Sequence, residues 1–135
     1  MRLYTSDEKR NVDVGMGSIW YSIYSTAFIA FSDDAKKNIP LAMEFLKTGE
    51  CAAENTVATA EQIRRVQTAF ASIEPDKAIY DLHKPSTPPP WANNIAPTVT
   101  SCANLFTTAD GKDLLTEVLS LLEYASKNNL PVHAG

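Results

Sequence analysis

Cysteine and glycine are scarce in this chain. Its 135 residues include two cysteines and five glycines. Cys51 and Cys102 form no CxxC pair and are too few for a disulfide framework, so we expect free thiols and a cytoplasmic protein. The GMG stretch at 15–17 lacks the further glycine and the Lys-Ser/Thr pair of a phosphate-binding loop. These absences exclude a disulfide-rich secreted scaffold and a P-loop nucleotide-binding protein.

Long apolar runs and clustered basic residues are also missing. Residues 1–11 are polar, without the apolar segment of a signal peptide, and no run approaches the ~18 residues of a membrane span. The 12 Lys and Arg are scattered among 16 Asp and Glu, which gives a net charge of −4. A nucleic-acid-binding surface needs clustered positive charge. We therefore expect no membrane partner and no nucleic-acid partner, and the oligomeric state stays open.

One set of residues has the side chains that a cysteine nucleophile needs. Cys102, His83 and Asp81 supply a thiol, a base and an orienting carboxylate. No nucleophile elbow and no helix start stand beside Cys102, so a small cytosolic enzyme is only an alternative interpretation. The cysteines and histidines also lack the close spacing of zinc ligands. We expect no catalytic residue, no metal and no cofactor.

Hydrophobic periodicity indicates an α+β fold. Apolar residues at three- and four-residue steps predict four helices, and short runs of β-branched or aromatic residues predict up to five strands. Residues 18–32 also have the composition of a strand, but their spacing and length favour a helix. The expected architecture is a single domain, 1–135, with about four helices packed on a small, mostly antiparallel sheet. The predicted helices are 18–32, 40–48, 59–74 (or from 54) and 112–127, and the predicted strands are 2–5, 11–14, 77–82, 104–108 and 130–133.

The stretch 84–111 holds most of the eight prolines and one of the two tryptophans. Three consecutive prolines, 88–90, cannot lie in a central strand because they have no amide hydrogens. Trp91 follows them and is expected to fold this connection onto the core. The alternative is that Trp91 is exposed beside Asn93 and Asn94, where tryptophan would make a strong contact for a partner or adaptor target.

The same region resembles a known family. Residues 76–125 are similar to the Imm70 group of bacterial immunity proteins from polymorphic toxin systems. The resemblance is carried by a short D-K…Y-D segment, a P-P-W-x-x-N-I loop, a T-S-x-x-N-x-F segment and a T-x-D-G-x-D-L helix start. The matching residues are Asp76-Lys77, Tyr80-Asp81, Pro89-Pro90-Trp91, Asn94-Ile95, Thr100-Ser101, Asn104, Phe106, Thr108, Asp110-Gly111 and Asp113-Leu114.

The resemblance implies a function that the candidate catalytic and metal-binding residues do not indicate. An immunity protein of this kind is not an enzyme: it binds a cognate toxin domain and neutralises it by occluding its active site. The expected toxin is the C-terminal domain of a contact-dependent growth inhibition effector or a related secreted effector. Among toxin classes, a nuclease is the expected one. An acidic chain suits a basic nuclease cleft. The expected partner-binding residues are Asp33, Asp34, Glu50, Glu54, Glu74, Asp76, Trp91, Asn93 and Asn94.

Overall fold

Five helices and a three-stranded antiparallel sheet make up the chain, and the computed structural model describes all 135 residues. The α+β prediction is confirmed. None of the helices has the length and apolar character that crossing a bilayer requires. The strands are β1 (Arg2–Thr5), β2 (Asn11–Asp13) and β3 (Val132–Ala134), and the helices are α1 (Gly17–Ala30), α2 (Asp33–Lys36), α3 (Pro40–Thr48), α4 (Thr56–Phe70) and α5 (Leu114–Lys127).

The sheet joins the two ends of the chain in the order β2-β1-β3. Leu3 pairs with Val12 of β2, and Tyr4 pairs with His133 of β3. Alternate residues of a strand face opposite sides, which places Leu3 and Val12 in the core and leaves Tyr4 on the outer side. The predicted hairpin and the predicted C-terminal edge strand are both confirmed.

The helices pack against the core through their apolar stripes. The stripe of α5 is completely buried, and α5 packs against both α4 and the sheet. Helix α3 lies between α1 and α4, where the Trp20 ring meets Phe45 edge-on at 5.5 Å between centroids. The predicted start of α3 at Pro40 and its end at Gly49 are confirmed. Gly49 has φ +76°, and a Cβ there would come 2.6 Å from the Ala134 Cβ, so this turn requires glycine.

Two details of the helical region differ from the sequence prediction. The predicted connection 33–39 contains the short helix α2, because the Ser32 hydroxyl accepts the Ala35 N–H as an N-cap. Gln62 does not form a capping box within α4, which begins earlier, at Thr56. Its Oε1 instead accepts the N–H groups of Leu41 and Ala42, at 2.8 and 3.0 Å, and so caps the start of α3.

Two predicted strands are wrong. In 77–82, the Ile79 N–H donates to the Thr26 hydroxyl at 2.9 Å, and the Ser22 hydroxyl donates to the Ile79 carbonyl at 2.7 Å. These α1 side chains take the bonds that a sheet ladder would need. In 104–108, the Asn104 side chain accepts backbone N–H groups of a turn, and only Thr107 makes an isolated bridge, to Asp113. The chain therefore has three strands rather than five.

Candidate functional site

The segment 78–113 is a long connection without helix or strand. Connections of this length inside a compact domain are uncommon, and ordered ones often carry function. The Cys102 N–H donates to the Ile73 carbonyl after α4, and the Ala109 N–H donates to the Asp13 carbonyl of β2, both at 2.9 Å. The segment thus lies against α1, α4 and β2 and supplies much of the surface on that side.

Trp91 anchors the middle of this segment. Its ring is partly buried and makes edge-to-face contacts with Tyr80 at 5.7 Å and Phe106 at 6.0 Å. The indole Nε1 is buried and has no hydrogen-bond acceptor. The polar atom that a partner would contact is therefore turned inward. This geometry supports the expectation that Trp91 folds the loop onto the core.

An apolar cleft of about 260 Å³ lies between α1 and the segment. Asn94 stands at its edge with an exposed side chain, and Asn93 beside it is also exposed. The Asn94 N–H donates to the Trp91 carbonyl at 2.9 Å, which closes a turn directly after the prolines. The apolar walls of the cleft are Ile19, Trp91, Ile95, Ala96, Val99, Leu105 and Phe106.

A second, polar cleft of about 400 Å³ lies between β2, the turn 108–112 and the first turns of α5. Asp13, Asp110 and Glu117 line it with one cation, Lys112, whose Nζ is 3.7 Å from an Asp110 oxygen. The hydrogen bond from the Thr108 hydroxyl holds the pKa of Asp110 below its usual value, and Lys112 adds to the effect. Asp13 and Glu117 have no cation partner, so this cleft is acidic.

Neither cysteine has the surroundings of a nucleophile. The Cys102 thiol is buried and donates to the Glu74 carbonyl at 3.4 Å. Burial, with the Asp76 carboxylate, raises its pKa to about 11, which leaves almost no thiolate at neutral pH. His83 is exposed and its ring makes no hydrogen bond to Cys102. Burial also raises the pKa of Cys51.

Comparison with protein families then decides what kind of protein carries these surfaces. The model of the family described as Immunity protein 70 matches residues 4–133. This chain belongs to the Imm70 family. Comparison with curated proteins and with solved structures gives no match. Membership implies an immunity protein directed against a toxin protein, and such a role points to binding rather than catalysis.

The acidic residues expected to bind that toxin are distributed over several elements of this Imm70 chain. Asp33 and Asp34 lie in the first turn of α2 and are almost fully exposed, each within 4 Å of the lysine three residues later. Glu50 follows α3, where its carboxylate lies 3.0 Å from the His133 Nδ1 and also accepts the Ala134 N–H. These three carboxylates are therefore engaged with local partners.

The other predicted carboxylates are exposed and have no cation partner. Glu54 precedes α4, whereas Glu74 and Asp76 follow it. Because α4 has 15 residues, its two ends lie about 22 Å apart. The structure thus brings Glu74 and Asp76 together on one turn and places Glu54 at the opposite end of the helix.

The polar cleft was not predicted. Its carboxylates come from β2, the turn before α5 and α5 itself, and so lie about 100 residues apart in the chain. Only the bond between Ala109 and Asp13 joins the turn to β2. The Asp110-Gly111 pair could have signalled a turn there, but no local pattern indicates that this turn reaches β2.

Proposed function

We propose that this chain neutralises the C-terminal toxin domain of a secreted effector, in a contact-dependent growth inhibition or related polymorphic toxin system, by covering the active site of the toxin. The observation that carries the proposal is the family match, which spans residues 4–133. The whole chain, 1–135, acts as one immunity domain in the cytoplasm of the cell that makes it. Its work is done by a binding surface and requires no catalytic group.

A toxin with a basic active site, such as a nuclease, suits this surface best. The net charge is −4, and several exposed carboxylates have no cation partner. Opposite charge on two partners speeds their encounter and favours the correct docking. Carboxylates placed over a basic cleft would also take the positions of substrate phosphates. Asp33, Asp34 and Glu50 belong to the same proposal, although lysines lie beside Asp33 and Asp34 and the Glu50 carboxylate is hydrogen-bonded to His133.

The loop beside Trp91 supplies neutral contacts. Asn93 and Asn94 are exposed next to the apolar cleft. A partner side chain that entered the cleft would bury apolar area, and the two amides would bond at its rim. Trp91 then acts as the rigid floor of this contact rather than as its polar tip.

Co-expression tests the function in cells. A strain that expresses the toxin domain encoded beside this chain is expected to stop growing, and growth is expected to return when the chain is co-expressed. A toxin domain from a different effector, expressed at the same level, is the specificity control and should still arrest growth. Arrest by the adjoining toxin despite abundant folded chain would contradict the proposal.

A further inference from the structure

The outer edge of β2 is open. In the β1–β2 ladder, Thr5 N–H donates to the Arg10 carbonyl and Val14 N–H donates to the Met1 carbonyl. Because hydrogen-bonded pairs alternate along an antiparallel ladder, Val12 is the β2 residue that bonds to β1. The backbone groups of Asn11 and Asp13 therefore point away from the sheet. Of these, the Asp13 carbonyl accepts from Ala109, and the Asn11 N–H, the Asn11 carbonyl and the Asp13 N–H have no partner.

The two residues that carry these groups line the polar cleft. Asn11 and Asp13 are exposed and form one wall of its roughly 400 Å³, opposite the turn 108–112 and Glu117. An open strand edge in a groove is a template for another extended chain. The turn covers the Asp13 end, so the edge offers room for a short segment centred on Asn11.

The charge of the cleft selects the kind of segment. Three carboxylates face one lysine, and that lysine bridges to Asp110. Arg2 lies opposite Asp13 in register, but its guanidinium stacks over the Tyr4 ring at 5.1 Å and does not bridge to Asp13. Asp13 accepts the Gly15 N–H at 2.9 Å, but no cation neutralises Asp13 or Glu117, so both negative charges are available to a ligand.

We propose that the edge of β2 receives a short, extended, basic segment of the toxin domain as a fourth strand, with a Lys or Arg side chain directed at Asp13 and Glu117. This inference rests on the proposed function and names the surface that performs it. Backbone hydrogen bonds at Asn11 give affinity, and the two carboxylates give specificity for a basic residue.

Substitutions at Asn11 test the backbone bonds. Asn11→Pro removes the outward N–H, whereas Asn11→Ala keeps both backbone groups and changes only the side chain. With an inactivated toxin domain, encoded beside this chain, as the probe, Asn11→Pro should weaken binding about tenfold or more in a calorimetric titration. Asn11→Ala should bind within about twofold of the parent, since an exposed side chain contributes little.

Hydrogen exchange of the parent chain tests the same backbone bonds without relying on the folding of the proline variant. Addition of the same toxin domain should slow hydrogen exchange of the Asn11 and Asp13 amides, which have no acceptor in the free chain.

Glu117→Gln, an isosteric loss of charge, should weaken binding about threefold to tenfold at low salt and less at high salt. Glu44→Gln is the matched control, because Glu44 is exposed on α3, away from the polar cleft, and should leave affinity unchanged.

The outcomes separate this inference from the proposed function. If the toxin binds the parent chain but neither amide is protected and both Asn11 variants bind equally, the edge proposal is wrong and the proposed function stands. If the free chain is a dimer with these amides already protected, a second copy occupies the edge and the proposal is likewise overturned. If the toxin does not bind the folded parent chain at all, the proposed function itself fails.

Discussion

Replacement of Trp91 tests the interpretation that this residue holds the 78–113 segment in place. The ring is partly buried and contacts Tyr80 and Phe106 edge-on. Truncation of a fully buried tryptophan to alanine costs about 3–5 kcal/mol, and the partial exposure of Trp91 reduces this to about 2–4 kcal/mol, the two aromatic contacts included. Because a domain of this size is stable by roughly 5–15 kcal/mol, Trp91→Ala should fold but unfold at clearly lower urea.

The matched variant is Trp91→Phe. Phenylalanine retains most of the ring contacts and removes an indole N–H that is buried without an acceptor. The lost area and the removed unpaired donor oppose each other, so the expected cost is about 1 kcal/mol or less. Urea unfolding followed by circular dichroism measures both variants, and Trp20 remains as the only tryptophan for fluorescence.

Trp91 is not expected to make a polar contact with the toxin. Because its polar atom faces inward, Trp91→Phe should bind the toxin as tightly as the parent chain. A Trp91→Ala variant whose free energy of unfolding lies within about 0.5 kcal/mol of the parent value, the range of an ordinary surface change, would refute the anchoring role. If that variant also lost toxin binding, Trp91 would serve only as the floor of the apolar cleft and not as the anchor of the segment.

Three further predictions concern other parts of the chain. Gly49→Ala should destabilise the fold by about 2 kcal/mol or more in urea unfolding, because alanine is strained at a positive φ and meets Ala134, whereas Gly17→Ala, with open space around it, should be near neutral. The hydrogen bond with His133 holds the pKa of Glu50 below its usual value of 4.5. The ionised Glu50 carboxylate therefore stabilises the fold above about pH 4.5, and this stabilisation is lost as the pH falls below that value. Glu50→Gln should consequently flatten the acid limb of a plot of urea midpoint against pH. Cys102→Ala should keep full protection in the co-expression test, because a buried thiol with a raised pKa has no catalytic role, and a loss of protection by folded protein would revive the enzyme interpretation.

Local sequence patterns predicted the fold well where the structure depends on neighbouring residues. The stripe of α5 is set by residues three and four apart, and the end of α3 is set by Gly49. Hydrophobic periodicity also favoured a helix for 18–32, although aromatic and β-branched residues fill it. In each of these cases one element contains its own determinant.

Three of the misses share a physical cause, which is a polar group whose partner is distant in sequence. Ser22 and Thr26 interrupt the apolar face of α1, and only the folded chain shows that they take the backbone groups of Ile79 and so prevent a strand there. Gln62 caps a different helix from its own. The acidic cleft likewise depends on a turn that reaches β2 over about 95 residues. No periodicity encodes such pairings.

Inhibition of the purified toxin tests the central claim most directly. The chain is titrated into the active toxin domain encoded beside it while cleavage of the toxin substrate is followed. Occlusion of the active site predicts that activity falls to background when one folded chain is present per toxin domain, and that substrate at high concentration delays the inhibition. Full toxin activity in the presence of excess folded chain would contradict the account.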